Sequence, residues 1–369
     1  MSTAQPDLPA VFARVMEAKP SERDALIKNL AEGDEEMRRE LSRLVTAASH
    51  PASSDDPLSD SAIASRRLLL EQGGIQQRTT AIGAKIGKYT IERVLGEGGM
   101  GVVYLATQEK PERRVALKVL KQSLPSDRAR RRFELEAETL GRLQHPGIAQ
   151  IFEAGIQDGS PYFAMEFIDG EPINEYVKSR GLGSDQVLRL LRKVAGAVQH
   201  AHQQGVIHRD LKPANILVTE SGTKAGPEPR VLDFGVAKLT ESDVQITTMR
   251  TDIGRLIGTL AYMSPEQACG DPSLVDMRSD VYSLGVLAFE LLAGQLPYEL
   301  GESAIYEAVR IIQQDDPSRL STLNRTLRGD IETIVATALE KDPTRRYSTP
   351  AAFADDITRY LENQPIQAR

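Results

Sequence analysis

From residue 88 onward the chain alternates apolar and polar positions in short runs. Tyr89–Leu95, Gly101–Thr107 and Arg114–Leu120 are rich in Val, Leu and Tyr and are separated by Gly- or Pro-containing turns, which predicts three strands. A helix is expected next, about Ser126–Leu143, with Phe133, Leu140 and Leu143 apolar, followed by strands over Ala149–Ile156 and Tyr162–Ile168. Beyond residue 170 helical spacing dominates. The pattern predicts helices at Ile173–Arg180, Ser184–Gln204, Asp280–Ala293, Ser303–Gln314, Asp330–Leu339 and Pro350–Leu361. A sheet-rich part followed by a helix-rich part is α+β ordering.

The first 87 residues read differently. Residues 1–48 carry apolar faces (Val11, Phe12 and Val15; Leu26, Ile27 and Leu30; Met37, Leu41, Leu44 and Val45), broken at Pro20-Ser21 and Gly33-Asp34. Two or three short helices are expected there. Residues 49–87 have loop composition and read as a linker, and residues 363–369 as a tail.

Composition narrows the function classes. Forty per cent apolar residues and 26% charged residues permit a large core. A net charge of -7 argues against a general nucleic-acid binder. The single cysteine, Cys269, excludes a disulfide framework and a Cys-based zinc site, and reads as a small apolar filler. No run reaches the roughly 18 apolar residues of a membrane span, and the N-terminus lacks the layout of a signal peptide. The sequence therefore reads as cytoplasmic, either alone or as the cytoplasmic part of a longer membrane-anchored protein.

The chemistry gathers in four places. Gly96-Glu97-Gly98-Gly99-Met100-Gly101 joins the first two strands, where glycines let backbone N–H groups approach phosphate oxygens. A plain glycine-rich hairpin accounts for the run as well, and the strand that follows disfavours a dinucleotide fold. Lys118 ends Val115-Ala116-Leu117-Lys118, so its ammonium needs either a partner such as Glu136 or a route to solvent. His208-Arg209-Asp210-Leu211-Lys212-Pro213-Ala214-Asn215 packs a carboxylate, an amide, two cations and a histidine between apolar stretches. Asp210 suits a base for a hydroxyl nucleophile, Lys212 a countercharge for a moving phosphate and Asn215 a Mg²⁺ ligand. Asp233 in Asp233-Phe234-Gly235 offers a second hard oxygen, although a turn explains this tripeptide equally well.

Taken in order, the glycine loop, strand lysine, helix glutamate, His-Arg-Asp loop, Asp-Phe-Gly and Ser264-Pro265-Glu266 resemble the eukaryotic-type (Hanks-type) protein kinases over about residues 88–362. Lys212 and Gly258-Thr259 are similar to the serine/threonine branch. Tyr262-Met263-Ser264-Pro265-Glu266-Gln267 and Asp280-Val281-Tyr282-Ser283-Leu284-Gly285 are similar to bacterial members, with Ser264 standing where many relatives have Ala.

The resemblance implies a bilobal kinase fold, with a β-rich N-lobe at 88–168 and a helical C-lobe at 169–362, behind a small all-helical segment. It implies an ATP- and Mg²⁺-dependent Ser/Thr protein kinase, with Mn²⁺ as a substitute metal, acting on protein substrates and on itself in bacterial signalling. The alternative is a pseudokinase or scaffolding module, which the intact Lys118, Asp210, Asn215 and Asp233 disfavour. A self-association or partner role is expected of residues 1–48.

By resemblance Asp210 is the base, Lys212 meets the γ-phosphate, and Asn215 and Asp233 hold the metal. Lys118, paired with Glu136, holds the α- and β-phosphates. Gly96, Glu97, Gly98, Gly99 and Gly101 cover the phosphates. Val103, Ala116 and Leu217 sandwich adenine, and Glu166 and Ile168 offer it backbone groups behind a gatekeeper Met165. Glu266 pairs with Arg346. Leu140, Ile151, His208 and Phe234 stack into a buried spine ending at Asp280. Arg209 is expected to meet a phosphorylated threonine, Thr248 or Thr251, with Thr247 behind them.

Overall fold

The computed structural model describes residues 82–98, 101–121, 126–157, 159–220, 226–234, 260–300 and 305–368. The chain divides into Met1–Thr79 and Thr80–Arg369, and every described residue belongs to the second unit. The helices expected in residues 1–48, and Gly99, Thr247, Thr248 and Thr251, lie outside the described residues.

A six-stranded antiparallel sheet leads, in the order β1-β2-β3-β4-β6-β5. Its strands are β1 (Lys85–Ile86), β2 (Tyr89–Glu97), β3 (Gly101–Glu109), β4 (Glu112–Leu120), β5 (Ile151–Gln157) and β6 (Ser160–Glu166). The sheet starts inside the stretch that the sequence assigned to the linker: β1 pairs Lys85 with Thr90 and Ile86 with Tyr89. A two-residue strand carries no periodicity, so only its pairing reveals it.

Alternation along β4 separates two cores. Val115 and Leu117 join Tyr89, Ile91, Tyr104 and Tyr162 on one face. Ala116 and Leu120 face the main core with Phe133 of α1 (Asp127–Gly141). Lys118 has the same parity as Ala116 and Leu120, so its ammonium stem leaves the sheet on the face toward the main core. Ser126 caps α1 by accepting a hydrogen bond from the Ala129 N–H at 3.2 Å.

The helical part holds α2 (Ile173–Arg180) and α3 (Ser184–Gln203), then α4 (Pro265–Ala268), α5 (Met277–Ala293), α6 (Ile305–Gln314), α7 (Leu320–Leu323), α8 (Asp330–Ala338) and α9 (Pro350–Leu361). Val187, Leu188, Leu191, Val194, Ala195 and Val198 of α3 bury one stripe at helical spacing. Helix α5 is buried nearly all round and packs on α3, α8 and α9, which explains its largely apolar run. At Gly285 of α5 an added Cβ would lie 2.8 Å from the Ala338 Cβ, so that glycine sets the approach of α8.

A second small sheet, β7-β8-β9, is formed by Glu171–Pro172, Ile216–Glu220 and Pro227–Val231. Val231 ties it to the segment before β5, with Ala149 N–H to Val231 O at 2.9 Å and Val231 N–H to Gly147 O at 2.8 Å.

Two expectations change in the structure. Cys269 is exposed rather than core-filling, because it sits at the C-terminal cap of the four-residue α4. Residues 363–368 are not a loose tail: Ile366 and Ala368 are buried. The fully buried Asp356 accepts the Gln367 and Ala368 N–H groups at 2.7 and 2.8 Å.

Candidate active site

The loop between α3 and β8 is organised by one carboxylate. Asp280, fully buried on α5, accepts from His202 Nε2 at 2.7 Å, from the His208 N–H at 2.8 Å and from the Arg209 N–H at 2.9 Å. Burial pushes its carboxyl up, but the hydrogen bond and charge of His202 and the neighbouring His208 outweigh this and hold it below the usual range. His202 was not singled out in the sequence. A buried-face histidine in the last turn of α3 was the available signal.

His208 is itself fully buried. Its Nε2 meets Leu232 O at 2.9 Å, and its ring lies 4.6 Å from Phe234. Leu140, Ile151 and Phe234 line one small cavity with Asp233 and Met165, next to the His208 ring.

Above this base Arg209 adopts φ 67° and Asp233 φ 58°, both left-handed and uncommon for non-glycine residues. Asp210 then reaches its partners. Lys212 Nζ lies 3.0 and 2.9 Å from its two carboxylate oxygens. Asn215 Nδ2 donates to the Asp210 carbonyl at 2.7 Å and to its carboxylate at 3.1 Å. Side chains of Asp210 and Lys212 stay about one-fifth exposed, enough to meet a substrate.

Lys118 is 9% exposed and forms its ion pair with Asp233 at 2.7 Å. This corrects the expected pairing with Glu136. A buried ammonium takes the carboxylate at hydrogen-bond distance, and the left-handed turn at Asp233 delivers one. Glu136, half-buried on α1, has interactions of its own.

The β2–β3 turn closes through Gly98 N–H to Gly101 O at 2.9 Å. Its glycines serve different ends. A Cβ on Gly101 would sit 2.2 Å from the Val119 carbonyl, so the sheet demands that glycine. At Gly96 and Gly98 a Cβ would meet nothing within 4 Å, which leaves a bare backbone cradle suited to phosphate oxygens. Glu97 pairs with Lys121 at 3.0 Å.

Behind the turn, Val103 lies opposite Lys118 in the sheet, and Ala116 opposite Met165. Ala116, Met165 and Ile168 are buried, while Val103 is half-buried. Leu217, half-buried on β8, pairs with Arg230 of β9. The Glu166 N–H donates to Gln150 O at 2.8 Å, and its side chain bonds Arg230, which fixes the strand end leading to Ile168.

Arg346 is fully buried and grips Glu266 with both arms, at 2.7 and 2.8 Å. Among the described residues no group of three or more His, Cys, Asp or Glu could hold a metal. Asn215 and Asp233 each carry a hard oxygen of the kind Mg²⁺ takes alongside phosphate and water. Among the described residues no helix is long and apolar enough to cross a membrane.

The comparisons agree with this geometry. The protein kinase domain family matches residues 89–357. The chain is 38% identical over 279 residues to serine/threonine-protein kinase PrkC of Bacillus subtilis, covering 75% of this chain and 41% of that one. It is 36% identical to PknB of Mycobacterium leprae, over 76% of this chain and 44% of that one. It thus spans under half the length of the curated relatives it matches. The PknI kinase domain of Mycobacterium tuberculosis superimposes with a TM-score of 0.59 at 30% identity, covering 77% of this chain and 99% of that structure. With the lobes, the Asp280-anchored loop and the Lys118–Asp233 pair all within the matched span, the chain belongs to the protein kinase domain family.

Proposed function

We propose that the chain is a serine/threonine protein kinase that moves the γ-phosphoryl group of ATP to hydroxyls of protein substrates, itself included. One observation carries the reading: Asp210, Lys212 and Asn215 converge within hydrogen-bond distance at a loop held by a buried carboxylate. The serine/threonine-protein kinase names of the curated relatives support the same class.

In this reading the substrate hydroxyl oxygen attacks the γ-phosphorus, the bond to the β–γ bridging oxygen breaks, and ADP leaves. Asp210 orients the hydroxyl and takes its proton, and Lys212 offsets the charge on the moving phosphoryl group. Lys118 holds the α- and β-phosphates. The backbone at Gly96, Glu97, Gly98, Gly99 and Gly101 covers the phosphates. Val103, Ala116 and Leu217 enclose the adenine, with Met165, Glu166 and Ile168 along its edge. Asn215 and Asp233 would hold Mg²⁺, which would supply countercharge to the phosphates when bound. Autophosphorylation at Thr248 or Thr251, with Thr247 behind them, belongs to the same proposal and is read by mass spectrometry after ATP treatment. Cytoplasmic action and self-association through residues 1–48 complete it.

Radiolabel transfer from ATP tests the reading. Wild type labels itself or a basic generic protein. Asp210→Asn, which keeps the shape but not the base, drops the rate by about 10²–10⁴-fold. Equal labelling by both, or none by wild type, overturns it.

A further inference from the structure

The peptide group linking Arg209 to Asp210 is hydrogen-bonded at both its N–H and its carbonyl. Its N–H donates to His208 Nδ1 at 3.3 Å. Its carbonyl accepts from the side-chain amide of Gln267 at 2.7 Å, a contact between residues 58 apart in sequence. The residue ahead of it, Arg209, is left-handed at φ 67°, a conformation that persists only where the surroundings fix it. Asp280 fixes the Arg209 N–H from one side and Gln267 the carbonyl from the other.

Gln267 also does a local job. It is the third residue of α4, and its Oε1 accepts the Ser264 N–H at 3.0 Å, while Ser264 Oγ accepts the Gln267 N–H at 3.3 Å. This reciprocal pair is a capping box. A glutamate would serve that box equally well, since only an acceptor is needed. The amide NH₂ is needed for the second task alone.

We infer that Gln267 is a positioning residue for phosphoryl transfer: its amide couples the start of α4 to the Arg209–Asp210 peptide and so sets the aim of the Asp210 carboxylate. The inference rests on the kinase reading and adds a residue outside the His-Arg-Asp loop. Its local signal, Ser264-x-x-Gln267, explains only the cap.

Gln267→Glu separates the two tasks. It keeps the cap acceptor and replaces the donor with an oxygen that faces the Arg209 carbonyl. In the full chain we expect an unchanged KM for ATP, a kcat at least tenfold lower at pH 7.5, and a melting midpoint within about 2 °C of wild type. The introduced carboxyl, next to a carbonyl oxygen, is harder to ionise. Once protonated it can donate again, so the variant-to-wild-type kcat ratio rises as pH falls from 7.5 to 5.5.

Gln267→Met, which has neither donor nor charge, gives a similar kcat loss that stays flat with pH, and it supplies the answer should the glutamate variant fail to fold. Wild-type kcat in the methionine variant, or a kcat loss in the glutamate variant that is flat with pH, overturns the positioning role. Inactive wild type would instead sink the kinase reading itself.

Discussion

Replacing Arg346 by Met should cost more stability than any other single change at this buried ion pair, and it should introduce a pH response that the wild-type pair lacks between pH 7 and 5. All five guanidinium N–H donors are used. Nε meets Glu340 O at 2.7 Å; Nη1 meets Glu266 Oε1 at 2.7 Å and Arg278 O at 3.1 Å; Nη2 meets Glu266 Oε2 at 2.8 Å and Lys341 O at 3.0 Å. The Arg346 side chain is 0% exposed and that of Glu266 7%, so water cannot replace what is removed. Breaking such a pair from one side costs about 3–5 kcal/mol, because the other charge stays buried.

In Arg346→Met, Glu266 keeps the Ser279 hydroxyl at 2.7 Å and its own backbone N–H, and three carbonyls lose a donor. At roughly 2–3 °C per kcal/mol for a unit of this size, the midpoint should fall by about 6–15 °C. Glu266→Gln leaves the guanidinium its three carbonyls and one amide oxygen, so its cost should be smaller, about 2–3 kcal/mol.

The pH dependence discriminates further. In wild type burial pushes the Glu266 carboxyl up, but the Arg346 hydrogen bonds and charge hold it below its usual range. A depressed folded value means that this stabilisation is complete above the unfolded carboxylate pKa and is lost only as pH falls below it. Between pH 7 and 5 the pair thus adds no slope in wild type. Without Arg346, burial acts alone and the carboxyl rises, so the variant gains stability relative to wild type as pH falls from 7 to 5. Thermal melts by circular dichroism across that range measure both effects. A cost under about 1 kcal/mol, or parallel pH curves for variant and wild type, would refute the reasoning.

Further outcomes follow from single contacts. Gly101→Ala should destabilise by about 1–3 kcal/mol through its clash with the Val119 carbonyl, whereas Gly98→Ala should leave the urea midpoint nearly unchanged and raise the KM for ATP. Burial pulls the Lys341 ammonium down to about 8, against the pull of Asp315 and Asp316. The unfolded chain then holds more protons above that value, so stability should rise between pH 8 and 9.5 in wild type; Lys341→Met should lack this rise in urea titrations.

The sequence by itself determined the elements whose signals are local. Ile173–Arg180 and Pro350–Leu361 end where the periodicity places them, at a left-handed Gly181 and at the Thr349 cap followed by Pro350. The family was legible for a similar reason. The phosphate-handling residue types sit in short motifs whose order survives without coordinates.

What tertiary structure alone decided are choices among partners far apart in the chain. Lys118 had Glu136 nearby in sequence, yet it pairs with Asp233, 115 residues away, because the left-handed turn puts that carboxylate within 2.7 Å. The strand Lys85–Ile86 exists only through its pairing with β2, and the segment at Ile366–Ala368 is held by Asp356 on α9 and by the burial of Ile366 and Ala368. Gly101 read as a phosphate glycine, but it is fixed by a carbonyl on the neighbouring strand. Gln267 closes the cap of α4 locally, but its other hydrogen bond spans 58 residues. Periodicity and propensity report a residue's neighbours along the chain. The desolvation of a buried charge or amide is settled only by whichever group the fold brings within hydrogen-bond reach.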